Sequence, residues 1–181
     1  MTKKNKQSQL SQEWIIEALI QLLKTKNYHD ITITDIANKA GVARLTFYRN
    51  FKDKDDILLT RSYQLFEAYF EELKANNKLV TIPAALHLSF NYWQRDAETL
   101  DLLIKNQLFY LIEQPFYSFL EKIIAENSQL NQLNTIQKSF ILGGTTQAMR
   151  SWITNGSKDS PTEITETLLK IINLATLSDH S

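Results

Sequence analysis

The sequence predicts an all-α protein, and three observations carry that reading. Apolar residues recur three and four positions apart along most of the chain, and no stretch shows the apolar–polar alternation of a half-buried strand. Helix-start chemistry recurs too: Thr32 with Asp35, Asp53 with Asp56 and Ser160 with Glu163 each pair a capping side chain with an acid in the first turn. The chain has only four glycines and three prolines, and most stand where a helix would begin or end. Read this way, it holds about nine helices: a three-helix front unit, a long joining helix and a C-terminal helical bundle. The units divide at residues 1–59 and 60–181.

Residues 1–9 are polar and lysine-rich and read as an arm, with Lys3, Lys4 and Lys6 as either phosphate contacts or plain solvated charges. Ser11 is placed to cap a first helix over about residues 12–26. Its buried face would be Trp14, Ile15, Ala18, Leu19, Leu22 and Leu23. Tyr28, Ile31 and Ile33 continue that small core. Thr32 caps a second helix whose apolar stripe is Ile36, Ala37 and Ala40. Lys39 sits in its last turn, where the dipole favours a cation, and Gly41 supplies the left-handed residue that ends it. Val42 and Ala43 complete a tight turn. In the next segment Phe47 and Phe51 lie four apart on one face, interleaved with Arg44, Thr46, Tyr48, Arg49 and Asn50. A helix entering the major groove requires one face that docks on its own domain and another that donates to phosphates and base edges. The arrangement is a helix-turn-helix.

Asp53 opens a fourth helix that reaches about Lys74. Ile57, Leu58 and Leu59 point to the front core, while Tyr63, Phe66, Tyr69 and Phe70 serve a second destination, so this helix links two units. Residues 75–81 break the pattern as a linker. Pro83 fits the first turn of a fifth helix carrying Leu86, Phe90 and Trp93, with His87 one position round. A sixth starts near Ala97 with Leu100, Leu103 and Ile104. From Asn106 to about Glu126 the chain is apolar and aromatic around Pro115, which marks either a kinked helix, the preferred reading, or two pieces. After a polar loop at 127–134, a helix runs from Thr135 to about Thr154 and stops at Asn155-Gly156. Ser160-Pro161-Thr162-Glu163 then opens the last helix.

Composition narrows the function. The chain has 181 residues, 43% of them hydrophobic, and no run long and apolar enough to span a bilayer. The first residues lack the apolar core of a secretory signal, so a cytoplasmic protein is expected. There are no cysteines and three scattered histidines, so no metal site and no cofactor is expected. The net charge of zero hides an asymmetry. Residues 1–54 hold ten Lys and Arg against five Asp and Glu, and residues 55–181 hold ten against fifteen. A basic front on an acidic body marks a protein that meets nucleic acid with one end.

Thr32-x-x-Asp35-Ile36-Ala37, Ala40-Gly41-Val42, Thr46-Phe47-Tyr48-x-x-Phe51 and Lys54 with Ile57 and Leu58 form a specific set. On them, residues 11–59 resemble the DNA-binding domain of the tetracycline-repressor (TetR/AcrR) family of bacterial regulators. One departure is Ala43, where the family usually caps the recognition helix with Ser or Thr; its loss costs about 1 kcal/mol. The resemblance implies that Arg44, Leu45, Thr46 and Tyr48 enter the groove and that Thr34, Tyr48, Asn50 and Lys54 hold phosphates. It implies a homodimer on a palindromic operator, and a C-terminal ligand pocket whose filling releases double-stranded DNA, so that the chain acts as a repressor. Beyond the front unit, a Gly-Gly and a Trp in the penultimate helix are similar to some members.

Two features of the C-terminal unit bear on those expectations. Phe66, Tyr69, Phe70, Phe90, Trp93, Phe109, Tyr110 and Phe119 could line an aromatic cavity for a small apolar or aromatic effector, with His87, Gln107 or Gln147 as polar handles, or could simply be core. Gly143 and Gly144 lie inside a helix, where each costs about 0.5–1 kcal/mol relative to Ala. Close approach of a helix, from the same chain or a second copy, would compensate; a local kink is the alternative. Dimer packing is preferred, over Phe140, Gly143, Gly144, Gln147, Trp152, Leu168, Ile171 and Ile172. An enzyme is not expected. Adjacent acids such as Glu71-Glu72 do not converge on one substrate, and no phosphate-cradling glycine loop is present. The alternative is a helical adaptor or activator whose C-terminal unit binds a partner protein.

Overall fold

The computed structural model describes residues 3–75, 82–126 and 133–177, and for residues 3–6 and 172–177 the course of the helix alone. Among the described residues there are nine α-helices, one 3-10 turn and no strand. The helices are α1 (Lys3–Leu23), α2 (Ile33–Ala40), α3 (Arg44–Asn50), α4 (Lys54–Ala75), α5 (Ile82–Arg95), α6 (Ala97–Lys105), α7 (Tyr110–Glu126), α8 (Thr135–Thr154) and α9 (Pro161–Leu177).

Capping chemistry sets most of the boundaries. Thr32 Oγ1 accepts from the Asp35 N–H at 3.1 Å, and Asp35 Oδ2 accepts from the Thr32 N–H at 3.0 Å, closing a reciprocal box at the start of α2. The Thr32 N–H, joined by the Thr32 hydroxyl donating to the same Oδ2 at 2.9 Å, holds the Asp35 carboxyl below its usual range. Asn134 with Gln137 and Ser160 with Glu163 repeat the device on α8 and α9. Gly41 ends α2 at φ 66°, where a side chain would be strained.

Two expectations for α1 are corrected. The helix begins at Lys3 rather than after an arm, and Ser11 lies inside it, its hydroxyl donating to the Gln7 carbonyl at 3.0 Å instead of capping. Ser11 can do this without breaking the helix because the bond runs one turn back along the helix's own backbone. Trp14 is 53% exposed, while Ile15, Ala18, Leu19 and Leu23 face inward.

The α6–α7 boundary also differs from the expectation of a helix starting at Asn106. The Leu108 N–H donates to the Leu103 carbonyl at 2.8 Å and the Gln107 N–H to the Ile104 carbonyl at 3.0 Å, with Gln107 at φ 62°. This is the hydrogen-bond pattern that glycine usually serves at a helix end, here carried by glutamine, so the sequence shows no break. The helix α7 then runs unbroken through Pro115. The linker expected at 75–81 and most of the loop at 127–134 lie outside the described residues.

One buried cluster runs from α1 to α8, with α4 spanning it. Ile57 and Leu58 of α4 are buried among Ile15, Leu19, Ile36 and Phe47, whereas Tyr69, Phe70 and Leu73 are buried further along the same helix. Tyr63, expected inward, is exposed. Helix α4 packs on α7, α5 on α9 and α6 on α8, while α1 holds α2 and α3.

Candidate functional site

The front unit presents α3 to solvent on an apolar anchor. Phe47 and Phe51 are buried, with ring centroids 6.2 Å apart. Their four-residue spacing leaves the opposite face free, where Arg44 and Arg49 are exposed, Leu45 is 61% exposed and Tyr48 50%. Arg44 Nη2 donates to Tyr48 Oη at 3.3 Å, and its guanidinium lies 5.9 Å from the Tyr48 ring centroid. That contact orients the guanidinium before any partner arrives, and an arginine fork of this kind matches the O6/N7 edge of guanine. Thr34 is exposed at the start of α2, and Thr46 is half-buried. Ala43 precedes α3 without a side-chain cap.

Two residues assigned to phosphates are occupied inside the protein. Asn50 donates to the Thr46 carbonyl at 2.7 Å and accepts from the Ser8 hydroxyl at 2.8 Å, so it ties α3 to α1. Lys54 Nζ donates to the carbonyls of Tyr28 at 2.7 Å and Ile31 at 2.6 Å, and sits 4.3 Å from the Tyr28 ring centroid. Partial burial pulls its pKa below the usual lysine range. Two of its three donors thus brace the loop before α2.

Next to this brace lies a junction between the two ends of the molecule. Asp55 accepts hydrogen bonds from the hydroxyls of Tyr28 and, at 2.9 Å, Tyr110. The Tyr28 N–H donates to Asn106 Oδ1 at 3.0 Å, and Lys24 pairs with Glu98 at 2.6 Å. Burial, reinforced by the Asp55 charge, pushes both tyrosine hydroxyls above their usual range. The turn between α6 and α7 is thereby fixed to the loop after α1 and to the start of α4.

Two slot-like cavities lie beyond the junction. The first, about 460 Å³ counting its mouth, is walled by Phe66, Tyr69, Tyr92, Trp93, Leu100 and Ile112, with Arg61 and Asp96 at one end. Arg61 Nη2 and Asp96 Oδ1 are 2.6 Å apart and only partly exposed. The second, about 550 Å³, is walled by Leu86, Phe116, Phe119, Ile123, Leu142 and their neighbours.

These features agree with the comparisons with known proteins. Residues 15–60 match the family model described as bacterial regulatory proteins, tetR family, and residues 81–174 match a model described as transcriptional regulator C-terminal region. The second match alone spans more than half of the chain. The chain belongs to the TetR family. The TetR fold extends over nearly all of it: FadR from Bacillus halodurans superposes with a TM-score of 0.66 at 18% identity, covering 89% of this chain and 93% of that one. FadR from Bacillus subtilis in complex with stearoyl-CoA gives 0.63 at 21%, covering 88% and 96%. In sequence, the dhaKLM operon transcriptional activator DhaS of Lactococcus lactis is 28% identical over 75% of this chain and 73% of its own.

Within this TetR-family frame the C-terminal assignments sort unevenly. Phe66, Tyr69 and Trp93 line the first cavity and Phe119 the second. Phe70, Phe90 and Phe109 are buried packing residues instead; Phe90 fills the space between Trp93 and Trp152. Tyr110 is half exposed on Asp55. None of the expected polar handles reaches either slot, although His87 lines a separate open hollow between α5 and α9. Gln107 lies exposed in its positive-φ turn, Gln147 faces out of α8, and His87 is exposed beside Thr162 at 3.2 Å. Arg61, Asp96 and Ser89 stand there instead. A charged pair drawn from two helices leaves no local pattern in the sequence.

The interface assignments also divide. Trp152 is core, its Nε1 donating to the Asp159 carbonyl at 2.9 Å, and Leu168 packs partly against the core. Phe140 is 66% exposed, Gly144, Gln147 and Ile171 are exposed, and the side chain of Ile172 lies outside the described residues. A methyl group added at Gly143 or Gly144 would meet nothing within 4 Å among the described residues.

Proposed function

We propose that this TetR-family regulator acts as a homodimeric repressor in the cytoplasm, bound to a palindromic operator and released by a ligand with an extended apolar chain. The observation that carries the DNA-binding half is α3: Arg44, Leu45 and Tyr48 exposed on one face, fixed by Phe47 and Phe51 on the other. One such helix covers few base pairs, so two copies on a two-fold axis read half-sites about one helical turn, or a multiple, apart. Ile136, Phe140, Gly144 and Ile171 supply an exposed apolar face on α8 and α9 for the second copy. The open space over Gly143 and Gly144 suits a partner helix. The units at residues 1–59 and 60–181 then serve reading and dimerisation with sensing.

The effector half rests on the two apolar slots, the first of them against α4, and on relatives named for fatty acid metabolism, among them the Bacillus subtilis regulator that is 22% identical over 87% of this chain and 91% of its own. Filling the first slot moves α4 and α7 apart, and the Tyr28–Asp55–Tyr110 junction passes that movement to α3. Gel shift on the chain's own upstream DNA, with random duplex as competitor and acyl-CoA added, tests both halves. A discrete complex that survives competitor and dissolves with ligand is expected. Because DhaS is named as an activator, an operator complex strengthened by ligand would indicate activation instead.

A further inference from the structure

The two cavities follow one another along the same pair of helices. On α5 the second slot touches residues 82 to 89 and the first touches residues 89 to 96; on α7 the first touches Ile112 and the second Phe116 through Ile124. Ser89 is the one residue that lines both. It is buried, and its hydroxyl lies 3.0 Å from Tyr69 Oη; both hydroxyls reach the Ala85 carbonyl, at 2.9 and 2.8 Å. The Tyr69 ring, wholly buried, lies tilted against Phe119 and Tyr92, with centroids 4.7 and 4.9 Å away. The wall between the slots is therefore thin: a small hydroxyl residue and the tip of a phenol, set among large aromatic side chains.

We propose that the two slots are halves of one channel for a single extended amphiphile, and that Ser89 sets how long its chain can be. The proposal rests on the effector reading above. An anionic head group, carboxylate or phosphate, takes Arg61 from Asp96 at the partly exposed end, and the tail passes the Tyr69–Ser89 pair into the slot lined by Phe119 and Ile123. Three features favour this occupant. The walls are almost wholly apolar in both slots, the one cation stands at the outer end of the first, and the slots run end to end over about 21 Å of helix α5 at 1.5 Å per residue. Both slots are narrow, so a chain entering them spreads the helices that wall them; a short chain needs only the first slot and a long one uses both.

The test is calorimetric binding of octanoyl-CoA, palmitoyl-CoA and palmitate to the full chain and to Ser89→Leu, Thr145→Leu, Ser89→Ala and Arg61→Gln. Thr145 lines only the second slot, so its variant narrows the far half without touching the passage. Ser89→Leu and Thr145→Leu should each weaken palmitoyl-CoA at least tenfold while changing octanoyl-CoA less than threefold, and Ser89→Ala should keep both. Arg61→Gln should weaken both acyl-CoA lengths alike; an equal loss on palmitate shows that the carboxylate itself uses Arg61, and no loss on palmitate assigns Arg61 to the phosphates. Equal losses at both chain lengths in Ser89→Leu, or no loss at either, would overturn the channel while leaving the effector reading intact. Absence of binding by the unmodified chain at every length would overturn the effector reading and the channel with it.

Discussion

Replacing Lys54 by methionine separates a brace from a phosphate contact. Methionine keeps the aliphatic stem and removes the ammonium, which donates to two carbonyls and lies over the Tyr28 ring. A hydrogen bond to a charged group contributes about 1.5–3 kcal/mol, and a cation over an aromatic ring about 0.5–1 kcal/mol at an exposed site. Lys54 is only half-buried, and the Tyr28 carbonyl also accepts from the Ile31 N–H at 3.2 Å, so water and that bond recover part of the loss. A net cost of about 2–3 kcal/mol follows. At roughly 2–4 °C per kcal/mol for a chain of this size, Tm should fall by roughly 5–10 °C. Thermal unfolding followed by circular dichroism reads this directly. DNA affinity measured from low to moderate salt should keep its slope, since a lost phosphate contact would reduce it by about 0.9. An unchanged Tm with a flattened slope would refute the brace.

Four further outcomes are expected. Ala43→Ser supplies the missing cap of α3 on backbone already extended at ψ 148°, and should stabilise the chain by about 1 kcal/mol, seen as a rise in Tm. Gly144→Ala should raise helix stability by about 0.5–1 kcal/mol within one chain, yet weaken dimerisation measured by sedimentation equilibrium if a second copy packs there. On the pH axis, Asp35 and Glu163 have carboxyls held below their ordinary values, so their capping contribution is complete above about pH 5 and is lost as pH falls through the lower folded values. Asp35→Asn and Glu163→Gln together should therefore flatten the acid limb of a stability-against-pH curve. Arg44→Ala should change which operator sequence is preferred in a selection from random DNA, rather than weaken all sequences alike.

The parts legible from sequence are those fixed by local chemistry. Thr32 with Asp35, Gly41, and Ser160 with Glu163 announce helix ends because their bonds form within four residues. The Phe47–Phe51 spacing announces which face of α3 is free. What stayed hidden depends on where distant segments meet. Gln107 ends a helix with glycine's geometry and no glycine. Aromatic residues of α5 and α7 alternate between core and cavity wall according to a neighbour's position, so Phe90 and Phe119 look alike in sequence and differ in place. Asp55 reads as an ordinary first-turn acid; only the fold brings Tyr28 and Tyr110 to it. Lys54 matches the family pattern, and its ammonium nevertheless turns inward.

The central claim is that this chain reads a specific operator with two copies of α3. Fluorescence anisotropy on labelled upstream duplex, titrated at two salt concentrations with random duplex present, tests it directly. The account predicts saturation at two chains per site, a complex that survives the competitor, and affinity falling steeply as salt rises. Binding that random duplex abolishes, on upstream DNA and on every sequence drawn from a random library, would contradict it.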